Sequence, residues 1–371
     1  MKPGVMMTDK NSRDKTFLIM AGGTGGHVYP ALATATKLMQ QNDQVVWLGS
    51  VGGMEEQIVK AAGISFYGIS VKGVRGKGVI NKLLSPLRIL WAVIQALMVI
   101  MKVKPDAVLG MGGFASGPGG IAARILGKPL IIHEQNAVAG MTNRVLSKFA
   151  TTVMTAFPGA FSDKVKVKQT GNPLREPIID IHYQPRVDIP KDRKVNLMVL
   201  GGSLGALGLN QGVPAALARV HKSIRPNVWH QTGKNKAQET KAVYESHGVN
   251  VKISDFIEDM AEAYQWADFV ICRAGALTIS ELCTVGLGAI LVPYPFAVDD
   301  HQTKNASSMA ESGAAWVLPQ SDITAESLAE ILTPLLSKRE RISILSEAAH
   351  KLGQPDATNK VVAECRSACY A

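Results

Sequence analysis

The sequence predicts an α/β protein made of two Rossmann-like, doubly wound parallel-sheet domains. Short apolar strand candidates alternate with helical stretches along most of the 371 residues. Continuous apolar strands linked by helices imply parallel sheets covered on both faces. A strand, a glycine turn and a helix open the chain at Phe17 to Pro30 (FLIMAGGTGGHVYP), and the same unit recurs at Val195 to Val220. The length also suffices for two domains of ordinary size.

In chain order, Phe17 to Met20 reads as a buried strand running into Gly22, Gly23, Thr24, Gly25, Gly26 and His27. After Pro30, the positions Ala31, Leu32, Ala35, Leu38 and Met39 fall on one helical face. Val45 to Leu48 is a strand, Glu55 to Ala62 a helix and Ser65 to Ile69 extended. Asp106 to Leu109 is a strand feeding a second glycine loop, GMGGFASGPGG, ahead of a helical Ile121 to Leu126. Leu130 to His133 is a strand ending in His133-Glu134-Gln135-Asn136, followed by a helix over Asn143 to Phe149 and a strand at Thr152 to Thr155. Between Gln169 and Arg186 three prolines interrupt any sustained period, so the domain boundary falls there: residues 1–175, then 176–353, then a helix over 354–371. The second half restarts with a strand at Val195 to Leu200, the loop Gly201-Gly202-Ser203-Leu204-Gly205 and a helix through Leu209, Val213, Ala216, Leu217 and Val220. Val228 to Gln231, Val251 to Ile253, Phe269 to Ile271 and Ala289 to Val292 supply further strands. In open α/β sheets, ligands bind at the C-terminal ends of such strands.

The formal charge of +10 favours an anionic partner: a phosphorylated substrate, an acidic lipid surface or nucleic acid. Scattered basic residues and only 6% aromatics argue against nucleic acid. The polar opening, Met1 to Lys15, lacks the apolar core of a secretory signal. Cys272, Cys283, Cys365 and Cys369 lack CxxC spacing and histidine companions, which fits reduced packing cysteines in a cytosolic protein and no metal site. Ile89 to Met101 carries no charge but spans only about 20 Å as a helix, short of a bilayer core, and reads as a buried helix. Before it, Lys72, Arg75, Lys77, Lys82 and Arg88 interleave with Val74, Val79, Ile80, Leu83, Leu84 and Leu87. That pattern fits either a surface element docking on an anionic membrane or an amphipathic helix with its apolar side in the core.

The first glycine loop does not fit a dinucleotide fingerprint. Val28 occupies the third glycine position, and Gly49 and Ser50 follow the second strand where a ribose-binding acid would stand. Three glycine loops together point instead to phosphate handling, since such loops and helix N-termini cradle anions. His27 in such a cradle is a candidate general base. Arg273-Ala274-Gly275-Ala276-Leu277-Thr278-Ile279-Ser280-Glu281 combines a strand end, a turn and a helix start. It reads as a capping box, as a phosphate and ribose site, or as both. Asp299, Asp300 and His301 are adjacent, so their side chains diverge and hold no metal.

Taken in order, GGTGGHVYPALA, GMGGFASGPGG, HEQNAVAG, TGNPLR, GGSLGA, RAGALTISE and DDHQTKNA resemble glycosyltransferase family 28, in particular its bacterial members that add N-acetylglucosamine to undecaprenyl-pyrophosphoryl-N-acetylmuramyl-pentapeptide in peptidoglycan synthesis. The resemblance covers the chain after Lys15. It implies the GT-B fold, two Rossmann-like domains facing across a cleft with the last helix crossing back to the first. It also implies that UDP-N-acetylglucosamine lies mainly on the second domain. Ser203 and Ala276, Leu277, Thr278, Ile279, Ser280 and Glu281 would hold diphosphate and ribose, with Glu281 on the ribose hydroxyls. The Ile257 backbone would meet the uracil and Gln302 the sugar hydroxyls. Thr24, Gly25, Gly26 and Asn136 would reach the donor sugar, with Arg175 near the crossover. Val79, Leu83, Leu84 and Leu87, rimmed by Lys72, Arg75, Lys77 and Lys82, would form a membrane patch, placing the protein on the cytoplasmic face of the inner membrane. Other cell-wall synthesis proteins are implied as partners, and no cofactor or metal is. Two departures from the family pattern are Gly288, where proline is usual, and Tyr294-Pro295, which lengthens the segment before Phe296.

The reaction so implied is inverting: the C4 hydroxyl of the muramyl sugar attacks the anomeric carbon, UDP leaves, and His27 takes the proton. Oriented N–H groups at a helix start can stabilise the departing diphosphate. Two other readings are a UDP-sugar 2-epimerase, which shares the architecture but needs no acceptor, and a non-enzymatic membrane-surface scaffold.

Overall fold

The computed structural model describes residues 14–71, 85–181, 189–202 and 204–370. Among the described residues, thirteen strands fall in two parallel sheets. The first sheet holds β1 (Thr16–Met20), β2 (Gln44–Ser50), β3 (Ser65–Ile69), β4 (Ala107–Gly110), β5 (Leu130–Glu134), β6 (Thr152–Thr155) and β7 (Lys168–Gln169), in the order β3-β2-β1-β4-β5-β6-β7. The second holds β8 (Asn196–Leu200), β9 (Asn227–Gln231), β10 (Lys252–Ser254), β11 (Phe269–Cys272), β12 (Ala289–Leu291) and β13 (Ala315–Val317), in the order β10-β9-β8-β11-β12-β13.

The repetition predicted from the glycine loops is therefore a repetition of topology. In each sheet the first strand lies between its immediate successor and a strand reached by a longer crossover: β1 pairs with β2 and β4, and β8 with β9 and β11. That reversal of strand order is the switch point where doubly wound sheets form their ligand crevice. Phe17, Leu18, Ile19 and Met20 of β1 are wholly buried, as are Met198 and Val199 of β8. Burial on both faces explains why these strands read as unbroken apolar runs.

The chain forms two compact units, one of residues 1–133, 142–153 and 361–371, the other of 134–141 and 154–360. The second takes in 134–141 and 154–175, which the sequence reading groups with the first. Long-range hydrogen bonds give the reason: the Ala137 amide donates to Asn305 Oδ1 at 2.8 Å, and Asn172 Nδ2 donates to Ser280 Oγ at 3.0 Å. The last helix, Ala357–Ala368, begins in the second unit, where Thr358 Oγ1 accepts from the Leu174 amide and donates to its carbonyl. It ends in the first, where an Arg366 Nη donates to Gln41 Oε1 at 2.9 Å.

Several expectations need correction. The helix after the first glycine loop starts at Gly25 rather than beyond Pro30, so Gly25, Gly26 and His27 are its opening turn. Pro30 lies in the second turn, where it removes the amide that would bond the Gly26 carbonyl. The apolar helix is longer than expected, Ser85–Val103, and it is not buried throughout. Ala92, Val93, Ala96 and Ile100 face the core, while Leu87, Leu90 and Trp91 are 65%, 56% and 52% exposed. Among the described residues it is the one helix long and apolar enough to cross a membrane by length and composition. Charge-free sequence alone does not separate an interior helix from one with an apolar outer face. Of the expected membrane patch, Lys72, Arg75, Lys77, Val79, Lys82, Leu83 and Leu84 lie outside the described residues, and Leu87 lies within them. Strand β13 and the helices Ala325–Ser337 and Glu340–Lys351 are additions to the sequence reading.

Candidate active site

In the first unit, two glycine loops meet backbone to backbone. Gly113 has a φ of +86°, and a Cβ there would come within 2.8 Å of the Gly22 backbone nitrogen. Only glycine allows both the left-handed backbone and the close approach. A Cβ on neighbouring Gly112 would meet His27 Cδ2 at 2.6 Å, so the imidazole lies against bare backbone. His27 Nδ1 is 3.4 Å from Thr24 Oγ1, and its own amide donates to the Thr24 carbonyl at 3.1 Å. Thr24 is the N-cap residue of Gly25–Gln40 but makes no side-chain cap, so the first amides of that helix carry no side-chain acceptor from the cap. The uncapped helix start, with an imidazole on its first turn, is suited to an anion.

A residue that the sequence reading leaves as an ordinary first-turn acid fixes this loop. Glu55 is wholly buried. Its Oε1 accepts from the Ser50 amide at 2.9 Å and its Oε2 from the Gly23 amide at 3.4 Å. Trp47 Nε1 donates to the Ala21 carbonyl at 3.0 Å and anchors the loop's entry. The available signal is a Gly-Gly turn followed two residues later by an acid, Gly52-Gly53-Met54-Glu55.

In the second unit, the helix Ala276–Val285 starts at Gly275, which has no side chain to cap it. This corrects the capping-box reading. Thr278 and Ser280 lie inside the helix; Ser280 Oγ donates to the Ala276 carbonyl at 3.0 Å and accepts from Asn172. Glu281 lies past the first turn and points inward, 5% exposed. The open first turn at Ala276, Leu277 and Thr278 is suited to an anion. Facing loops close up as in the first unit: Gly205 has a φ of +72°, and a Cβ on it would strike the Thr232 carbonyl. Ser203 lies outside the described residues.

Glu281 accepts from Tyr264 Oη at 2.8 Å through Oε2 and from Arg175 Nη2 at 3.3 Å through Oε1. Burial raises its pKa above the ordinary carboxylate value, with the Arg175 charge and the two hydrogen bonds acting in the opposite direction. Burial likewise holds the Tyr264 phenol well above its usual range, so it stays a neutral donor. Arg175 also lines a cavity of about 390 Å³ with Pro177, Ile178, Glu258, Asp259, Met260 and Ala261. Ile257, expected to offer its backbone, adjoins this cavity in sequence; its amide already donates to Gln231 Oε1 at 3.1 Å.

Asn136 and Gln302 also lie in this unit. Asn136 is held from two sides: its Nδ2 donates to Glu134 Oε1 at 3.2 Å, and its Oδ1 accepts from Asn305 Nδ2 at 3.2 Å. Glu134 and Asn305 thus orient a predicted site residue, although the sequence reading gives neither a role. Gln302 Oε1 accepts from the Tyr294 amide at 2.8 Å. Tyr294 itself sits over the Arg273 guanidinium, 5.6 Å from ring centroid to carbon, so the lengthened segment is tied to the RAG motif. The other departure has a packing cause: a side chain at Gly288 would collide with Leu345 of the helix Glu340–Lys351. His230 is no candidate base, since burial depresses its pKa to about 3 and it packs edge-on against Tyr244. No cluster of three or more His, Cys, Asp or Glu residues suited to a metal occurs among the described residues.

Two switch-point sheets, each with a glycine loop and an open helix start, and a buried acid beside one of them define a GT-B-type nucleotide-sugar enzyme. The comparisons make this specific. The glycosyltransferase family 28 N-terminal domain matches residues 17–155 and its C-terminal domain residues 196–361, and the chain belongs to that family. It is a UDP-N-acetylglucosamine-dependent glycosyltransferase. It is 51% identical over 362 residues to the UDP-N-acetylglucosamine--N-acetylmuramyl-(pentapeptide) pyrophosphoryl-undecaprenol N-acetylglucosamine transferase of Marinobacter nauticus, covering 98% of this chain and 99% of that one. The protein of the same description from Hahella chejuensis is 51% identical over 355 residues, with 96% and 98% covered. The crystal structure of Acinetobacter baumannii MurG superposes with a TM-score of 0.80 at 42% identity, over 95% of this chain and 99% of that one. A UDP-N-acetylglucosamine 2-epimerase shares the fold alone, with a TM-score of 0.64 at 12% identity over 94% and 95% of the two chains.

Proposed function

We propose that this protein moves N-acetylglucosamine from UDP-N-acetylglucosamine to the C4 hydroxyl of undecaprenyl-pyrophosphoryl-N-acetylmuramyl-pentapeptide, with inversion at the anomeric carbon. The observation that carries the reading is the open first turn of Ala276–Val285 beside the held carboxylate of Glu281. A nucleoside diphosphate needs a positive helix end for its phosphates and an acceptor for its ribose diol. Amides at Ala276, Leu277 and Thr278, with Ser203, meet the diphosphate and take up the charge that develops as UDP departs. Glu281 takes the ribose hydroxyls, Arg175 and the Ile257 carbonyl lie toward the base, and Gln302 and Asn136 read the sugar.

Thr24, Gly25 and Gly26 belong to the first unit and, in this reading, serve the sugar and the acceptor side. His27 accepts the proton of the attacking hydroxyl; an imidazole does this efficiently because its usual pKa is close to neutral. The unit of residues 1–133, 142–153 and 361–371 serves the acceptor, and that of 134–141 and 154–360 the donor. The protein works peripherally at the cytoplasmic face of the inner membrane, held by apolar and basic residues around Leu87 and by those expected from Lys72 to Leu84. Other cell-wall synthesis proteins are its partners there.

The deciding assay is UDP release with a short-chain lipid-linked muramyl-pentapeptide. Release that depends on this acceptor is the expected result. Conversion of UDP-N-acetylglucosamine to a second nucleotide sugar without acceptor would establish the epimerase reading instead.

A further inference from the structure

We propose that Tyr264 is a positioning residue for donor recognition: its hydroxyl fixes Glu281 so that the carboxylate meets the ribose diol of UDP-N-acetylglucosamine. The inference rests on the reading of Glu281 as the ribose acceptor.

The geometry is specific. Tyr264 is 1% exposed and sits on the helix Met260–Trp266, with its Oη 2.8 Å from Glu281 Oε2. Arg175 takes the other oxygen at 3.3 Å. A carboxylate offers about four lone-pair directions, so one donor on each oxygen leaves room for the two hydroxyls of a ribose. Without the phenol, Oε2 would lose its donor while staying buried, and the side chain would be free to rotate about its last torsion, which is broad. The phenol is the donor and the carboxylate the acceptor: the tyrosine stays protonated because burial opposes its ionisation.

The position of Tyr264 in the chain extends the argument. Asp259 caps its helix, with Oδ1 accepting from the Glu262 amide at 2.9 Å. The cap lies two residues after Ile257, whose amide is bound by Gln231. The segment proposed to meet the base thus leads without a break into the helix that holds the ribose acceptor, so recognition of base and ribose share one rigid element. Precise placement of such a group is worth most when its support is itself locked by packing.

The test compares UDP with 2′-deoxy-UDP by calorimetric titration of the full-length protein, together with steady-state kinetics. In the wild type, removal of the 2′ hydroxyl weakens binding. In Tyr264→Phe, the expected result is about a tenfold weaker UDP affinity and a tenfold rise in KM for UDP-N-acetylglucosamine, as for loss of a hydrogen bond to a charged group. The change in kcat stays within threefold, and the preference for UDP over 2′-deoxy-UDP shrinks in proportion. A variant whose affinity falls equally for both ligands would overturn the proposal, because that is the mark of general damage. Wild-type preference retained in Tyr264→Phe but abolished in Glu281→Ala would overturn it too, while leaving the ribose reading intact. Wild-type preference retained in Glu281→Ala would overturn the ribose reading itself. Tyr264→Met, which fills the site without a donor, serves if the phenylalanine variant does not fold.

Discussion

The imidazole of His27 is oriented from two directions, by Thr24 Oγ1 at 3.4 Å from Nδ1 and by the bare backbone of Gly112 against the ring. Orientation matters because a general base contributes only when it lies within hydrogen-bond reach of the proton it takes. Substituting His27 by Ala is expected to lower kcat by about 10²- to 10⁴-fold, the usual range for a lost general base. UDP affinity, which this reading places on the other unit, should change by less than about twofold, against the tenfold that 1.4 kcal/mol would bring. Stopped-flow turnover and calorimetric UDP titration check both halves, and an unchanged kcat removes His27 as the base. At this scale the sequence is informative about identity and silent about support. Glu281 stands out within RAGALTISE, yet its partners Tyr264 and Arg175 lie 17 and 106 residues away. Glu55 reaches the first loop from 32 residues downstream. Composition and spacing carry chemistry within one motif; a hydrogen bond across the fold leaves no local period to read.

The glycine loops show which elements tolerate no change. An Ala at Gly113 would need a left-handed φ of +86° and would push its Cβ into the Gly22 backbone. The strain alone costs about 1–3 kcal/mol, and the steric conflict has only backbone to move. Gly113→Ala should therefore lower the melting temperature and reduce acceptor-dependent turnover by more than the roughly tenfold that 1.4 kcal/mol represents. UDP titration should remain close to wild type, since Gly113 and the helix Ala276–Val285 belong to different units. Parallel loss of UDP binding would contradict the assignment of the first loop to the acceptor side. The helix Ser85–Val103 shows where element-level reading stops. Its core stripe of Ala92, Val93, Ala96 and Ile100 follows helical spacing, but Leu90, Trp91 and Ile94 make the opposite face apolar too. A two-sided apolar helix has no polar face to reveal orientation.

For the whole molecule, architecture was the most legible level, because a parallel sheet needs continuous apolar strands and helical crossovers, and both leave a pattern in sequence. The late strand Ala315–Val317 was not legible: its tryptophan is partly exposed, so the segment lacks the continuous apolar burial that marks β12. The return of residues 361–371 to the first unit agrees with the expected crossing back of the last helix, whereas the grouping of 134–141 and 154–175 with the second unit escapes a linear reading. Charge is the remaining global property. A formal +10 combined with exposed Leu87, Leu90, Trp91, Ile94 and Met98 on one helix suits an interface that joins electrostatic attraction to shallow apolar insertion. Each basic residue near an anionic surface contributes about 1 kcal/mol, and this falls off within a Debye length of about 10 Å at 0.1 M salt. The protein should therefore co-sediment with vesicles containing phosphatidylglycerol and bind pure phosphatidylcholine vesicles far less. Raising the salt from about 0.05 M to 0.5 M, where screening shortens that length severalfold, should release most of the bound protein. Leu90→Asp with Trp91→Asp should weaken binding at every salt concentration while leaving UDP titration unchanged. Equal binding to neutral and anionic vesicles would show that charge has no part in docking, and undiminished binding of the double variant would show the same for this helix.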